Sequence, residues 1–107
     1  MIEEKPDISL FFPVYNDAST VEIVAQRALS LLNEVARNYE IIIVDDGSPD
    51  ASGEIADRLA AENEKISVLH HPVNQGYGAA IKTGIAASNF DRICMIDGDN
   101  EYDVYDL

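Results

Sequence analysis

Glu40-Ile41-Ile42-Ile43-Val44-Asp45-Asp46-Gly47-Ser48-Pro49-Asp50 is the stretch that decides the fold. Its first half is an unbroken, largely β-branched run without polar alternation. That is the pattern of a strand covered on both faces, as in a parallel sheet flanked by helices. Its second half is turn chemistry, with Asp, Gly, Ser and Pro in succession. The same event recurs near the carboxyl end, where Ile93-Cys94-Met95-Ile96 runs into Asp97-Gly98-Asp99-Asn100-Glu101. Carboxylates gathered at the ends of buried strands repel one another and resist desolvation. Their presence points to a cation, a polar ligand, or both.

Working outward, Ile8 to Phe12 is a short apolar strand bounded by Pro13. From Thr20 to Arg37 the residues Val21, Val24, Ala25, Ala28, Leu31, Leu32 and Val35 keep the three-and-four spacing of one helical face, with Asp17 or Ser19 as cap. A second amphipathic helix is expected over about Ala51 to Asn63, with Ser52 as its cap. A strand follows at Ile66 to Leu69, then a loop over Pro72 to Gly78. Ala79 to Ala87 is an alanine-rich helix whose small inner face permits close approach to a sheet, and Ile93 to Ile96 is the last strand. Strands alternating with helices predict an α/β fold built from right-handed crossovers, with a parallel sheet and helices on both faces.

The chain has 107 residues, 47% of them hydrophobic and 25% charged, the balance of a single globular unit. Twenty acidic residues against seven basic give a formal charge of −13. Such a field repels phosphate backbones, so no nucleic-acid partner is expected. The lone cysteine, Cys94, lies inside an apolar run and supports neither a disulfide framework nor a zinc site. No apolar stretch approaches the roughly 20 residues needed to span a bilayer. A cytoplasmic location is expected, at the inner face of a membrane if the full-length protein carries an anchor.

In open parallel sheets, ligands bind outside the carboxyl ends of the strands, where crossovers diverge. Four segments arrive there: Pro13 to Asp17, Asp45 to Ser48, Asn74 to Gly78, and Asp97 to Asp99. Tyr15 suits either the core or stacking on a base. Asp45 and Asp46 suit a cap and a turn; alternatively, one accepts a hydrogen bond from a base or ribose while the other orients the loop. Gly76 leaves backbone room at a helix amino end, where anions are favoured, and Lys82 is either a solvated lysine or a cation facing phosphate. His70 and His71 close a strand and read as structural. Asp97 and Asp99, separated by a glycine, offer the oxygen ligands that Mg2+ or Mn2+ take alongside substrate phosphates.

Pro13-Val14-Tyr15-Asn16, Val44-Asp45-Asp46-Gly47-Ser48, Asn74-Gln75-Gly76-Tyr77-Gly78-Ala79-Ala80-Ile81-Lys82-Thr83-Gly84 and Asp97-Gly98-Asp99 occur here in one order. In that order they resemble the amino-terminal half of a family-2 inverting glycosyltransferase, over roughly Ile8 to Leu107. The nearest subgroup is the polyprenyl-phosphate sugar synthases. The resemblance implies a Rossmann-like, glycosyltransferase A-type fold and a nucleoside-diphosphate sugar donor. It places Pro13 and Tyr15 near the base and Asp46 on the base or ribose. Asp97 and Asp99 would hold a divalent ion on the donor diphosphate, with Glu101 as a further ligand. Asp17 stands where the family usually has glutamate.

The resemblance also implies a lipid-phosphate or saccharide acceptor, met by groups beyond the Asp-Gly-Asp segment. Residues 1–107 are therefore expected to be the nucleotide-sugar-binding part of a longer transferase domain, with its catalytic base past Leu107 and little activity alone. The last strand, Ile93 to Ile96, is expected to leave an exposed sheet edge that invites self-association. One rival is a receiver-type signalling domain, which needs its acidic pair after the first strand and a lysine after the fifth. A nicotinamide-dependent oxidoreductase is disfavoured by the missing glycine fingerprint after the first strand. A non-catalytic nucleotide-sugar-binding fragment is the remaining alternative.

Overall fold

The computed structural model describes residues 4–96 and the backbone of residues 102–106. The elements run β1 (Ile8–Val14), α1 (Ala18–Val35), β2 (Tyr39–Asp45), α2 (Ser52–Glu62), β3 (Ile66–His70), α3 (Tyr77–Ala87), β4 (Arg92–Ile96) and β5 (Tyr102–Asp106). The sheet order is β3-β2-β1-β4-β5; β1 to β4 are mutually parallel, and β5 joins β4 antiparallel.

The uninterrupted apolar strands are explained by what covers each face. Leu10, Phe12, Ile41, Ile43, Cys94 and Ile96 pack with Val21, Ala25, Ala28 and Leu32 of α1 and with Ala56 and Leu59 of α2. Phe11, Ile42, Val44, Ile93 and Met95 point the other way, onto Ala80 and the partly buried Ile81 and Ile85 of α3. Alternate residues thus serve opposite layers, so both sets are apolar. Each fully buried side chain of this size stabilises the fold by roughly 1.5–3 kcal/mol. The expected close approach of α3 is realised at Gly84, where a Cβ would overlap the ring of Phe11.

Two expectations are corrected. β1 does not stop before Pro13 but continues through it, with Pro13 opposite Val44. Backbone groups of even-numbered β1 residues face β2, as when Asp46 N–H donates to Val14 O at 2.9 Å, so Pro13 turns its nitrogen toward β4. Pairing with β4 ends at Phe11 opposite Met95, and the missing N–H interrupts no ladder bond. The second correction concerns the last strand. β4 is not a sheet edge, because β5 flanks it, with Arg92 opposite Asp106 and Ile96 opposite Tyr102. Among the described residues, β3 and β5 are the outer strands of this sheet. The strand order also disfavours a receiver domain, whose doubly wound order is 2-1-3-4-5.

Candidate functional site

The strand order reverses between β1 and β4, so the crevice expected of an open α/β sheet opens at the carboxyl end of β1. The chain leaves β1 through Asn16, whose φ of 54° is one that asparagine tolerates better than most residues. The loop after β2 fixes this exit. Asn16 N–H donates to Ser48 Oγ (3.2 Å), Asp17 N–H to Ser52 Oγ (2.9 Å) and Ala18 N–H to Asp50 Oδ2 (3.1 Å). Asp50 in turn accepts from the hydroxyl and amide of Ser52. The Ser52 hydroxyl bond is the main reason the Asp50 carboxyl is held below its ordinary value.

Sequence reasoning placed the cap of α1 on Asp17 or Ser19. Asp17 does occupy the N-cap position, but its side chain makes no cap bond. Ser52 and Asp50 instead hold the amides of Asp17 and Ala18 from the loop after β2, and the Asp17 carboxylate lines the crevice. Ser52 likewise caps nothing in its own helix, whose N-cap is Ala51.

Asp45 and Asp46, adjacent in sequence and both buried, face different partners. Asp45 Oδ1 accepts from Ser48 N–H (3.1 Å), while Oδ2 lies 2.7 Å from Nδ1 of His70. The other nitrogen of His70 reaches Asp57 Oδ1 at 2.7 Å. Bonding to Asp45 first, and to Asp57 second, raises the pKa of His70.

Asp46 accepts four hydrogen bonds. Oδ1 takes His71 Nδ1 (2.7 Å) and Gln75 N–H (2.9 Å), and Oδ2 takes Asn74 Nδ2 (3.0 Å) and Gly76 N–H (3.0 Å). Burial works to raise the Asp46 pKa, but the His71 bond and the two amide bonds outweigh it and hold the carboxyl below its ordinary range. With four donors, the carboxylate has its acceptor sites filled from within the protein.

These arrangements frame a crevice of about 360 Å³ lined by Pro13, Val14, Tyr15, Asp17, Asp46, Asn74, Gly76, Tyr77 and Ala80. Tyr15 and Tyr77 are half-exposed, with relative accessibilities of 51% and 55%. Of the residues anticipated from sequence, Pro13, Tyr15, Asp17, Asp46 and Gly76 come together here. Asp45 is turned toward His70, and Lys82 stands on the exposed side of α3; neither lines the crevice. Asp97, Asp99 and Glu101 lie outside the described residues. Among the described residues no group of three or more His, Cys, Asp or Glu is arranged to hold a metal. Ile96, which ends β4, shares a small cavity with Pro13, Val14 and Asp17, three residues that also line the crevice.

Asn74 and Tyr77 entered the sequence reading only as members of the Asn74 to Gly78 segment, and His71 and Asp50 had no site role in it. A signal for the histidine was present: the pairs Asp45-Asp46 and His70-His71 end neighbouring strands with the same offset, and Asp45 is in register with His70.

Fold and crevice together define an open α/β architecture with its candidate ligand site at the strand-order reversal. Comparison with known proteins narrows this. The chain belongs to glycosyl transferase family 2, whose model matches residues 9–107. It is 34% identical over 103 residues to the undecaprenyl-phosphate 4-deoxy-4-formamido-L-arabinose transferase of Pectobacterium carotovorum, covering 92% of this chain and 31% of that protein. Among solved structures it resembles the mannosyltransferase PcManGT of Pyrobaculum calidifontis in complex with GDP-Man and Mn2+. The TM-score is 0.78 at 19% identity, covering 89% of this chain and 28% of that one. It also resembles glucosyl-3-phosphoglycerate synthase of Mycobacterium tuberculosis in complex with Mn2+, UDP and glucosyl-3-phosphoglycerate. There the TM-score is 0.66 at 28% identity, covering 86% and 33%. The chain spans between 26% and 31% of the length of the first curated relatives it matches.

Proposed function

We propose that this chain is the donor-binding part of a family-2 glycosyltransferase that takes a nucleoside-diphosphate sugar and passes the sugar to a polyprenyl phosphate or a saccharide. The observation that carries the reading is the crevice at the β1/β4 reversal, flanked by half-exposed tyrosines and reaching the amino end of α3. Tyr15, with Pro13, offers a surface for the base, and Asp17 an acceptor for a base or ribose donor. Gly76 carries no side chain into the crevice, and the first amides of α3 suit a phosphate. Asp46 acts on the nucleotide through the loop it holds.

Asp97 and Asp99, with Glu101, are the hard oxygen donors that Mg2+ or Mn2+ take, and they follow the strand that ends beside the crevice. Such an ion, when bound, stabilises the negative charge developing on the departing nucleoside diphosphate. Mn2+ in the two solved relatives supports this. An anionic lipid phosphate would need no base to activate it, whereas a saccharide hydroxyl would. The name of the undecaprenyl-phosphate relative favours the former. Among the described residues no helix is long and apolar enough to cross a membrane. We place the protein in the cytoplasm, at the inner face of a membrane where a lipid phosphate presents its head group.

Calorimetric titration of the protein with UDP- and GDP-sugars, with and without Mn2+, tests the reading. One of these donors should bind more tightly with metal, and Asp97→Asn or Asp99→Asn should remove the metal effect. Absence of binding, or binding indifferent to both substitutions, overturns it.

A further inference from the structure

We infer that His71 is a positioning residue for the donor crevice, holding the Asp46 carboxylate so that it fixes the wall formed by Asn74 to Gly76. The inference rests on the donor-binding reading above and adds a residue that does not itself line the crevice. Three of the four hydrogen bonds to Asp46 come from Asn74, Gln75 and Gly76, and Asn74 and Gly76 line the crevice. The fourth comes from His71, whose side chain is only 10% exposed. An ionised carboxylate can only accept, so His71 Nδ1 carries the donated proton.

The opposite nitrogen of the ring, Nε2, lies 2.9 Å from Thr83 Oγ1, whose one hydroxyl proton serves either that nitrogen or Ala79 O at 3.0 Å. His71 therefore bridges the base of the 72–76 loop, from the end of β2 to the second turn of α3. Its own amide is held by Asp45 O at 2.8 Å, which anchors the ring from the sheet. The loop is further held by Asn74 Nδ2 donating to Asp46 O at 3.2 Å and by the close approach of Gly47 to the backbone of Val73 and Asn74. Gly76 is at φ 99°, a conformation other residues resist, and Val73 is 67% exposed. If the ring is lost, Asp46 loses the one partner that does not belong to the loop. The carboxylate and the three donors can then shift together, and the crevice wall with them.

The test is UDP and GDP binding, in the presence of Mn2+, by wild-type protein and by His71→Leu, His71→Asn and His71→Gln. An asparagine amide reaches the position of Nδ1 and can still donate to Asp46; a glutamine amide reaches that of Nε2 and cannot. His71→Leu and His71→Gln should weaken nucleotide binding by about tenfold or more, the loss expected for a bond to a charged group, while His71→Asn retains most of the affinity. Amide exchange at Gln75 and Gly76 should accelerate in the same two variants and not in His71→Asn. Should His71→Leu fail to fold, the asparagine and glutamine variants carry the comparison alone. Equal affinities and equal exchange in those two variants overturn the inference. Failure of the wild-type protein to bind any nucleotide overturns the donor reading instead, while the exchange comparison still decides whether His71 fixes the loop.

Discussion

Replacing Asp46 by asparagine removes one charge and one acceptor without changing shape, and the structure gives the cost. The carboxylate, 3% exposed, receives four donors, two on each oxygen. An asparagine offers one acceptor oxygen and one NH2 group, so whichever way it turns, the NH2 faces two of the former donors. If it faces Asn74 Nδ2 and the Gly76 amide, the Gly76 amide is left without a partner, while Asn74 Nδ2 keeps its bond to Asp46 O at 3.2 Å. If it faces His71 and Gln75, the imidazole can change tautomer, accept at Nδ1 and give its proton to Thr83; the Gln75 amide is then left without a partner. Either arrangement orphans one buried amide and removes charge assistance from the remaining bonds, which amounts to roughly 2–4 kcal/mol. Urea denaturation of wild type and Asp46→Asn measures the difference, and amide exchange at Gln75 against Gly76 reports which arrangement forms. A loss below about 1 kcal/mol would mean that water relieves these donors, and would refute the view of Asp46 as the buried centre of the loop.

Gly84→Ala should destabilise the protein by roughly 1–3 kcal/mol, because the added methyl overlaps the fully buried ring of Phe11 and outweighs the gain of about 1 kcal/mol in helix propensity; a melting temperature at or above wild type would contradict it. His70, whose pKa is raised in the fold, contributes stability that is fully present below its unfolded value of about 6.5 and is lost as pH rises through the higher folded value. The stability gap between wild type and His70→Gln should therefore narrow from pH 6 toward pH 8, modestly because the ring is 42% exposed. A gap that widens over that range would contradict the assignment.

How much of this was legible in the sequence can be followed residue by residue. The run Ile41 to Val44 announced its two covered faces, and the structure divides it between α1 and α2 on one side and α3 on the other. The small residues of α3 announced close packing, realised at Gly84 over Phe11. β5 was not legible: its pairing with β4 is a contact to a partner that its own pattern does not name. Nor was the hold of Ser52 and Asp50 on the amides of Asp17 and Ala18, because those atoms are brought within reach only by the β1/β2 pairing.

The sequence by itself determined the order and type of the elements, the layers that sandwich the sheet and the family to which the chain belongs. These follow from local periodicity and from motifs read along one strand of text. Only the tertiary structure decided which of two adjacent aspartates turns toward the crevice and which toward His70, and that the Asp17 carboxylate lines the crevice. It also gave His71 its place between Asp46 and Thr83. The physical reason is that a hydrogen bond needs its partners about 3 Å apart, and for residues 25 to 35 positions distant only the register of neighbouring strands supplies that distance.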